Sequence, residues 1–262
     1  MNKFLIVIML LTSGASSALL SGCSDEVTDA QHLVKAEEYF NAGNMNAASI
    51  ELKNALQKNS NNPRARLLLG KLNLEMGNVS AAEKELTKAS ELGMEDELIL
   101  PLKSRALLLQ GKIDEVQRLP LNNLTANAQA EVLAAQSLVK LAQGEIAEAA
   151  LLVEQAISKD PGSINTLIAS ARVHAMQQEI DLAKEKLEKV FLIDPKSAQA
   201  WSLLGDIELR EKNLEFAEDA YSKAIEYGLN NLNNHYKRAL VLIQLNKLKE
   251  AQKDVDVVKK SS

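Results

Sequence analysis

What is scarce in this sequence narrows its identity before any motif does. A single cysteine, Cys23, excludes an intramolecular disulfide, and a structural metal site normally draws on several ligands. The three histidines, His32, His174 and His235, stand far apart with no ligand spacing between them. Surface or packing roles are therefore expected of them, not metal binding or general-base work. No GxSxG, Walker loop or GxGxxG occurs. Aromatics make up 3% of the chain and there are only five prolines, while alanine and leucine abound; the sequence reads as nearly all helix. A net charge of -5 argues against a nucleic-acid binder, which would carry a concentrated basic surface. Acidic pairs such as Glu37-Glu38 and Glu95-Asp96 fit solvated helix faces or turns. A non-catalytic protein is expected, with neither cofactor nor metal.

Long apolar runs are equally scarce: there is one, at the start. Lys3 gives a positive beginning, Phe4 to Leu11 is wholly apolar, and "TSGASSALLSG" is small and mildly polar. That is the layout of a secretory leader over residues 1–22, too short for a comfortable membrane span. Cys23 sits where the run stops. It is either a leftover thiol beside an ordinary cleavage site or, since Leu20-Ser21-Gly22-Cys23 resembles the bacterial lipoprotein box, a lipidated first residue of the mature chain. The lipobox implies that Ser24, next in line, favours outer-membrane sorting. Two or more acyl chains give stable anchoring. Residues 23–28 then form a tether of about 20 Å, at roughly 3.4 Å per residue. Losing the leader removes only Lys3, so the charge moves from -5 to -6.

The rest of the chain is periodic. Ala48, Ala82, Val116, Ala149, Ala183, Ala217 and Ala251 are spaced 34, 34, 33, 34, 34 and 34 residues apart. Leu52, Leu86, Val153, Leu187, Tyr221 and Val255 follow four residues after most of these, and Gly43, Gly77, Gly111 and Gly144 precede the first four by five. Each unit reads as helix, turn, helix, then Pro or Asn punctuation such as "KDPGS" or "IDPKS". Self-similarity at this period resembles the tetratricopeptide family and implies an all-α solenoid of stacked helix pairs. The fullest match is "WSLLGDIELREKNLEFAEDAYSKAIEYG", where Trp201, Leu204 and Tyr221 fill holes between helices that small residues let approach. Seven units are expected, at 29–61, 62–95, 96–125, 126–162, 163–196, 197–230 and 231–262.

The third unit departs from the pattern. Pro120 stands where the second helix needs a large residue, and proline inside a helix costs about 3 kcal/mol. That helix should stop near Leu119, with "LNNLT" as a loop and Thr125 capping the next helix. The break is either a tolerated irregularity or a hinge dividing 29–125 from 126–262. The last helix still presents Val255 and Val258, so these are half covered or covered by another chain.

The tetratricopeptide resemblance implies a concave groove lined by the first helix of each unit. Its frame places Arg64, Leu67, Lys71 and Leu74 on the groove in unit two and Leu98, Arg105 and Leu108 in unit three. Arg172 and Met176 follow in unit five, Arg210 in unit six and Tyr236 in unit seven. Lys71, Arg105 and Arg172 share one repeat position, a partly basic strip suited to an acidic peptide tail or polysaccharide unless it is simply solvated charge. The Lys-Asn pair of carboxylate-clamping adaptors is absent, since Leu67 and Lys71 occupy those positions.

Residues 36–93, "AEEYFNAGNMNAASIELKNALQKNSNNPRARLLLGKLNLEMGNVSAAEKELTKASELG", and "LPLKSRALLLQGKIDEVQRL" after them resemble the lipoprotein of the PEP-CTERM/exosortase system. That resemblance implies an outer-membrane-anchored, periplasm-facing repeat protein accompanying exopolysaccharide export and protein sorting. Members are typically longer. Two other readings compete: an assembly factor for outer-membrane proteins or general peptide-binding adaptor, and the substrate-binding array of an enzyme. Seven units consume the mature chain, which speaks against the last. The partner is expected to be protein. Binding of the polysaccharide itself fits poorly, because the groove has few aromatic rings on which sugars could stack.

Overall fold

The computed structural model describes residues 27–229 and 232–260. The leader, Cys23 and the tether as far as Glu26 lie outside the described residues, and so do the expectations attached to them. Among the described residues there are fourteen helices and no strand. They pair in chain order: α1 (Asp29–Asn41) with α2 (Met45–Lys58), α3 (Pro63–Glu75) with α4 (Val79–Glu91), and α5 (Asp96–Leu109) with α6 (Ile113–Gln117). Next come α7 (Ala126–Ala142) with α8 (Ile146–Lys159), and α9 (Ile164–Met176) with α10 (Ile180–Ile193). The array ends with α11 (Ala198–Arg210) and α12 (Leu214–Tyr227), then α13 (Leu232–Gln244) and α14 (Leu248–Lys260). This is the expected all-α solenoid.

Local chemistry starts and stops the helices. Side-chain oxygens of Thr28, Asn44, Asn62, Thr125 and Ser163 each accept from the backbone N–H three residues on, satisfying one orphan donor. The turn inside each unit puts one residue in the left-handed region: Gly43, Gly77, Gly111 and Gly144 first, then Gln178, Lys212 and Asn246 (φ 66°, 62° and 59°). The glycine signal therefore fades after unit four while the backbone shape persists.

The periodic small residues make the core. Ala48, Ala82, Val116, Ala149, Ala183 and Ala217 are wholly buried. Closeness is greatest at two glycines: a Cβ on Gly70 would lie 2.8 Å from Leu86, and one on Gly205 would lie 2.6 Å from the Tyr221 ring. Tyr221 is fully buried and its hydroxyl donates to Asp206 at 2.7 Å. Trp201 stacks on Phe191 with ring centroids 4.2 Å apart, and its indole N–H donates to the Pro195 carbonyl.

Three units also bind their own two helices with charge. His32 meets Glu51, Arg66 meets Glu85 and His235 meets Asp254, in each case nineteen residues on. The last is the most developed: Arg238 donates to both Asp254 oxygens (2.8 and 2.7 Å), His235 Nδ1 lies 2.6 Å from Oδ1, and Asp254 is 3% exposed. Two histidines thus tie helices together, and His174 pairs with Glu179 at 2.7 Å across a turn.

In the third unit, α6 ends at Gln117, two residues earlier than expected, and Thr125 caps α7 as expected. Shortening α6 leaves space and orphan carbonyls, and both are filled. Leu119, Leu121 and Leu124 pack with Leu100, Ala128 and Val132. The buried Gln136 amide donates to the carbonyls of Val116, Gln117 and Leu119 at 3.3, 3.3 and 3.4 Å. The joint is packed and hydrogen-bonded. A second proline, Pro101, sits inside α5, where it removes the donor for the Glu97 carbonyl.

Stacking follows one rule. Each second helix packs on the next first helix, and first helices of units one to five also pack on the next first helix, while second helices are not brought together in this way. Shorter spacing on one side of a stack curves it, so the first helices lie on the inside. Consistent with this, Leu229 lines a shallow pocket together with Gly43, Asn44 and Met76 from the opposite end. At the C-terminal end Val255 is partly buried, while Leu248 and Val257 on α14 are exposed.

Candidate functional site

The inner face is built from α1, α3, α5, α7, α9, α11 and α13. The residues expected to line it fall into three groups. Leu98, Met176 and Tyr236 are exposed apolar side chains on α5, α9 and α13 (45%, 40% and 56%). They are available to a partner.

The second group is taken up by packing. Leu74 is 3% exposed and belongs to a core with Leu86, Ile99 and Ala106, because α5 closes over it. Leu67 is partly buried against the same core. Leu108 packs on Leu107, Val116 and Val139 where α7 crosses. The expectation that Leu74 lines the groove is corrected by the curvature of the stack, since the next first helix covers it, while Leu67 and Leu108 stay partly exposed.

The third group is charged. Arg64 pairs with Glu37 at 2.9 Å and Arg105 with Glu75 at 2.8 Å. Lys71 lies over the Phe40 ring, 5.0 Å from its centroid. Arg210 Nη1 donates to the Ala175 carbonyl at 2.9 Å, at the C-terminal end of α9 where a cation meets the helix dipole. Further along, Lys237 holds both Asp206 oxygens at 2.7 and 2.8 Å. Burial, and then Asp206, push the Tyr221 hydroxyl above the ordinary tyrosine range. These contacts run from one unit to the next, so the inner face carries a ladder of inter-unit pairs. Of the basic strip expected from Lys71, Arg105 and Arg172, only Arg105 meets a carboxylate; Lys71 rests on a ring and keeps its charge.

Arg172 differs. It is partly buried, its Nε is shielded from solvent without a hydrogen-bond partner, and among the described residues no carboxylate oxygen lies within 4.0 Å. Burial pulls its pKa below the ordinary arginine value, opposed by the charge of Asp206. Two more buried side-chain atoms without partners, Thr166 Oγ1 and Ser170 Oγ, are on the same helix. The sequence frame named Arg172 but gave it the same weight as its paired counterparts, whose partners lie about one repeat away.

The tetratricopeptide repeat family model matches residues 39–106 and 140–207, slightly more than half the chain. No curated protein sequence matches. Among solved structures, a tetratricopeptide repeat protein from Parabacteroides merdae superposes with a TM-score of 0.53 at 15% identity, covering 88% of this chain and 92% of that one. A chain in the APC/C hetero-tetramer Cut9-Hcn1 superposes with a TM-score of 0.60, also at 15% identity, covering 86% of this chain and 47% of that one. These structures share the fold. With the 34-residue period, the paired helices and the family match in agreement, the chain belongs to the tetratricopeptide repeat family.

Proposed function

We propose that this chain is a non-catalytic, lipid-anchored scaffold that holds a protein partner along its inner face, on the periplasmic side of a bacterial outer membrane. The observation that carries the binding part is the continuous run of first helices, on which Leu98, Met176 and Tyr236 stay exposed while most charges are paired. Rigid repeats present such a face at little ordering cost, because the side chains that flank it are already fixed. Among the described residues no helix is long and apolar enough to cross a membrane, so attachment in this reading rests on Cys23. The place in exopolysaccharide export or PEP-CTERM protein sorting is supported by the resemblance of residues 36–93 and by the lipobox.

A second reading, an assembly factor or general peptide-binding adaptor, is favoured by the same exposed apolar side chains, which suit many client sequences. The two separate in the cell. A strain lacking the chain, beside one carrying Cys23→Ala, should lose secreted polysaccharide or tagged surface proteins in both cases. Normal polysaccharide with falling outer-membrane protein levels would pass the assignment to the second reading.

A further inference from the structure

We propose that the uncovered side of α13 and α14 docks a second copy of this chain, the two copies related by a two-fold axis with their α14 helices antiparallel.

Unit four shows how this side is hidden inside the stack. Leu138, Leu141 and Val153 share one core with Ala169 and Val173 of the next first helix. Three repeats on, the same places are held by Leu240, Ile243 and Val255. Among the described residues no first helix follows α14 to cover them. Leu240 is 39% exposed and Ile243 51%, and Val255 is only partly buried where Val153 is wholly so. Leu248 extends the strip from the start of α14. It is 59% exposed, whereas its counterparts Ile180 and Leu214 pack on the cores of units five and six. Apolar side chains thus line one side of both helices, a contiguous patch of the kind that marks an interaction surface.

The occupant follows from what the chain itself can offer. Continuing the stack with α1 of another copy would press Gln31, Lys35 and Glu38 onto this strip. These exposed residues stand where α3 carries Ala65, Leu69 and Leu72, which form a core with α2. Burying them against apolar side chains is costly, so head-to-tail growth is disfavoured. Pairing the strip with itself places apolar on apolar. Charge agrees with that choice: Lys249 and Asp256 are exposed two helical turns apart on one flank of α14, beside Leu248 and Val255. In an antiparallel pair centred near Gln252, each Lys249 comes opposite the partner's Asp256. Two identical ion pairs then flank the contact, as a self-complementary interface requires. A face two helices wide and about 20 Å long is at the small end of specific interfaces, so a dissociation constant on the order of 10 μM is expected.

The test is sedimentation of the full-length chain in detergent from about 1 to 100 μM, a range that brackets the expected constant. Beside it, a photo-reactive amino acid at position 243 is placed in cells that express two differently tagged copies. A dimer that dissociates on dilution is expected, with a crosslinked product carrying both tags. Ile243→Asp should weaken dimerisation by more than about thirtyfold, because two carboxylates would be desolvated in the contact. Lys249→Glu alone, a surface change, should weaken it about fivefold, and adding Asp256→Lys should restore it. Swapped charges rebuild the same two pairs only where a copy meets itself. A wild type that stays monomeric throughout, a dimer that Ile243→Asp leaves unchanged, or a double variant no better than Lys249→Glu would overturn the proposal. So would an open series of ever larger species, the mark of head-to-tail growth. A crosslink from position 243 to a different protein alone would also overturn it and give this face to another partner.

Discussion

Units one, two and seven join their helices through an ion pair, whereas units three and four use leucine at the same two places. His32–Glu51, Arg66–Glu85 and His235–Asp254 occupy the sites that Leu100 with Leu119, and Leu133 with Leu152, occupy in the middle of the stack. In the first unit the chemistry follows solvent access, whereas Arg66–Glu85, with side chains 14% and 13% exposed, is an ion pair in an inner unit. Leu133 is 2% exposed between two neighbours, while the side chains of His32 and Glu51 keep 13% and 19% of their surface in the first unit. A unit covered on one side alone gains less from apolar side chains, which would leave greasy surface at the end of the array. Charge there holds the pair of helices together in place of apolar contact.

The largest break in this comparison is Asp254→Ala, which strands Arg238 and His235 together. A loss of about 3 kcal/mol is expected, as for removing one partner of a buried pair. Hydrogen exchange should place it in α13 and α14; a loss spread evenly over the array would contradict the local role. In the middle, Gln136→Ala should cost about 1–3 kcal/mol by removing the side-chain donor to the carbonyls of Gln117 and Leu119. It should also speed proteolysis within residues 118–125. Wild-type cleavage there should be no faster than at other turns if the break is a tolerated irregularity, and faster cleavage would favour the hinge.

A swap sharpens the comparison. Replacing His32 and Glu51 together by leucine should leave unit one at least as stable, since apolar pairs often match buried ion pairs. Sedimentation should then show more self-association. Unchanged association would mean that the end charges do not protect the end.

Acid distinguishes the two kinds of unit as well. Burial raises the Asp254 pKa, but the hydrogen bonds from Arg238 and His235 outweigh it and hold the group below the ordinary carboxylate value. A depressed folded pKa contributes stability above the unfolded value of about 3.8, lost as pH falls through the lower folded value. Exchange protection in α13 and α14 should therefore fail below about pH 4 before that in α7 and α8. The smallest effect is at the turns: Gln178→Gly or Lys212→Gly should stabilise by about 1 kcal/mol, since left-handed backbone strains any residue with a Cβ.

The fold was legible because the 34-residue alanine and leucine pattern is itself a record of helix packing. The turns of units five to seven escaped because Gln178, Lys212 and Asn246 adopt a glycine-like shape without being glycine. The tying histidines were recognisable only by pairing each with an acid nineteen residues on, a spacing no local pattern suggests. The inner face was half legible. A repeat frame says which side of a helix faces inward, but whether Leu74 or Arg172 remains available depends on how far the next unit leans over. Arg105 and Glu75 lie thirty residues apart, and their neutralisation is a property of curvature.

The central claim is that a protein partner lies along the first helices. A photo-reactive amino acid at Leu98 or Met176 on the inner face, against one at Ile50 or Phe216 on the outer helices, tests it directly, since all four sites are exposed and apolar. The account predicts one discrete crosslinked protein from the inner positions and none from the outer. Crosslinks from Ile50 or Phe216 alone would contradict it.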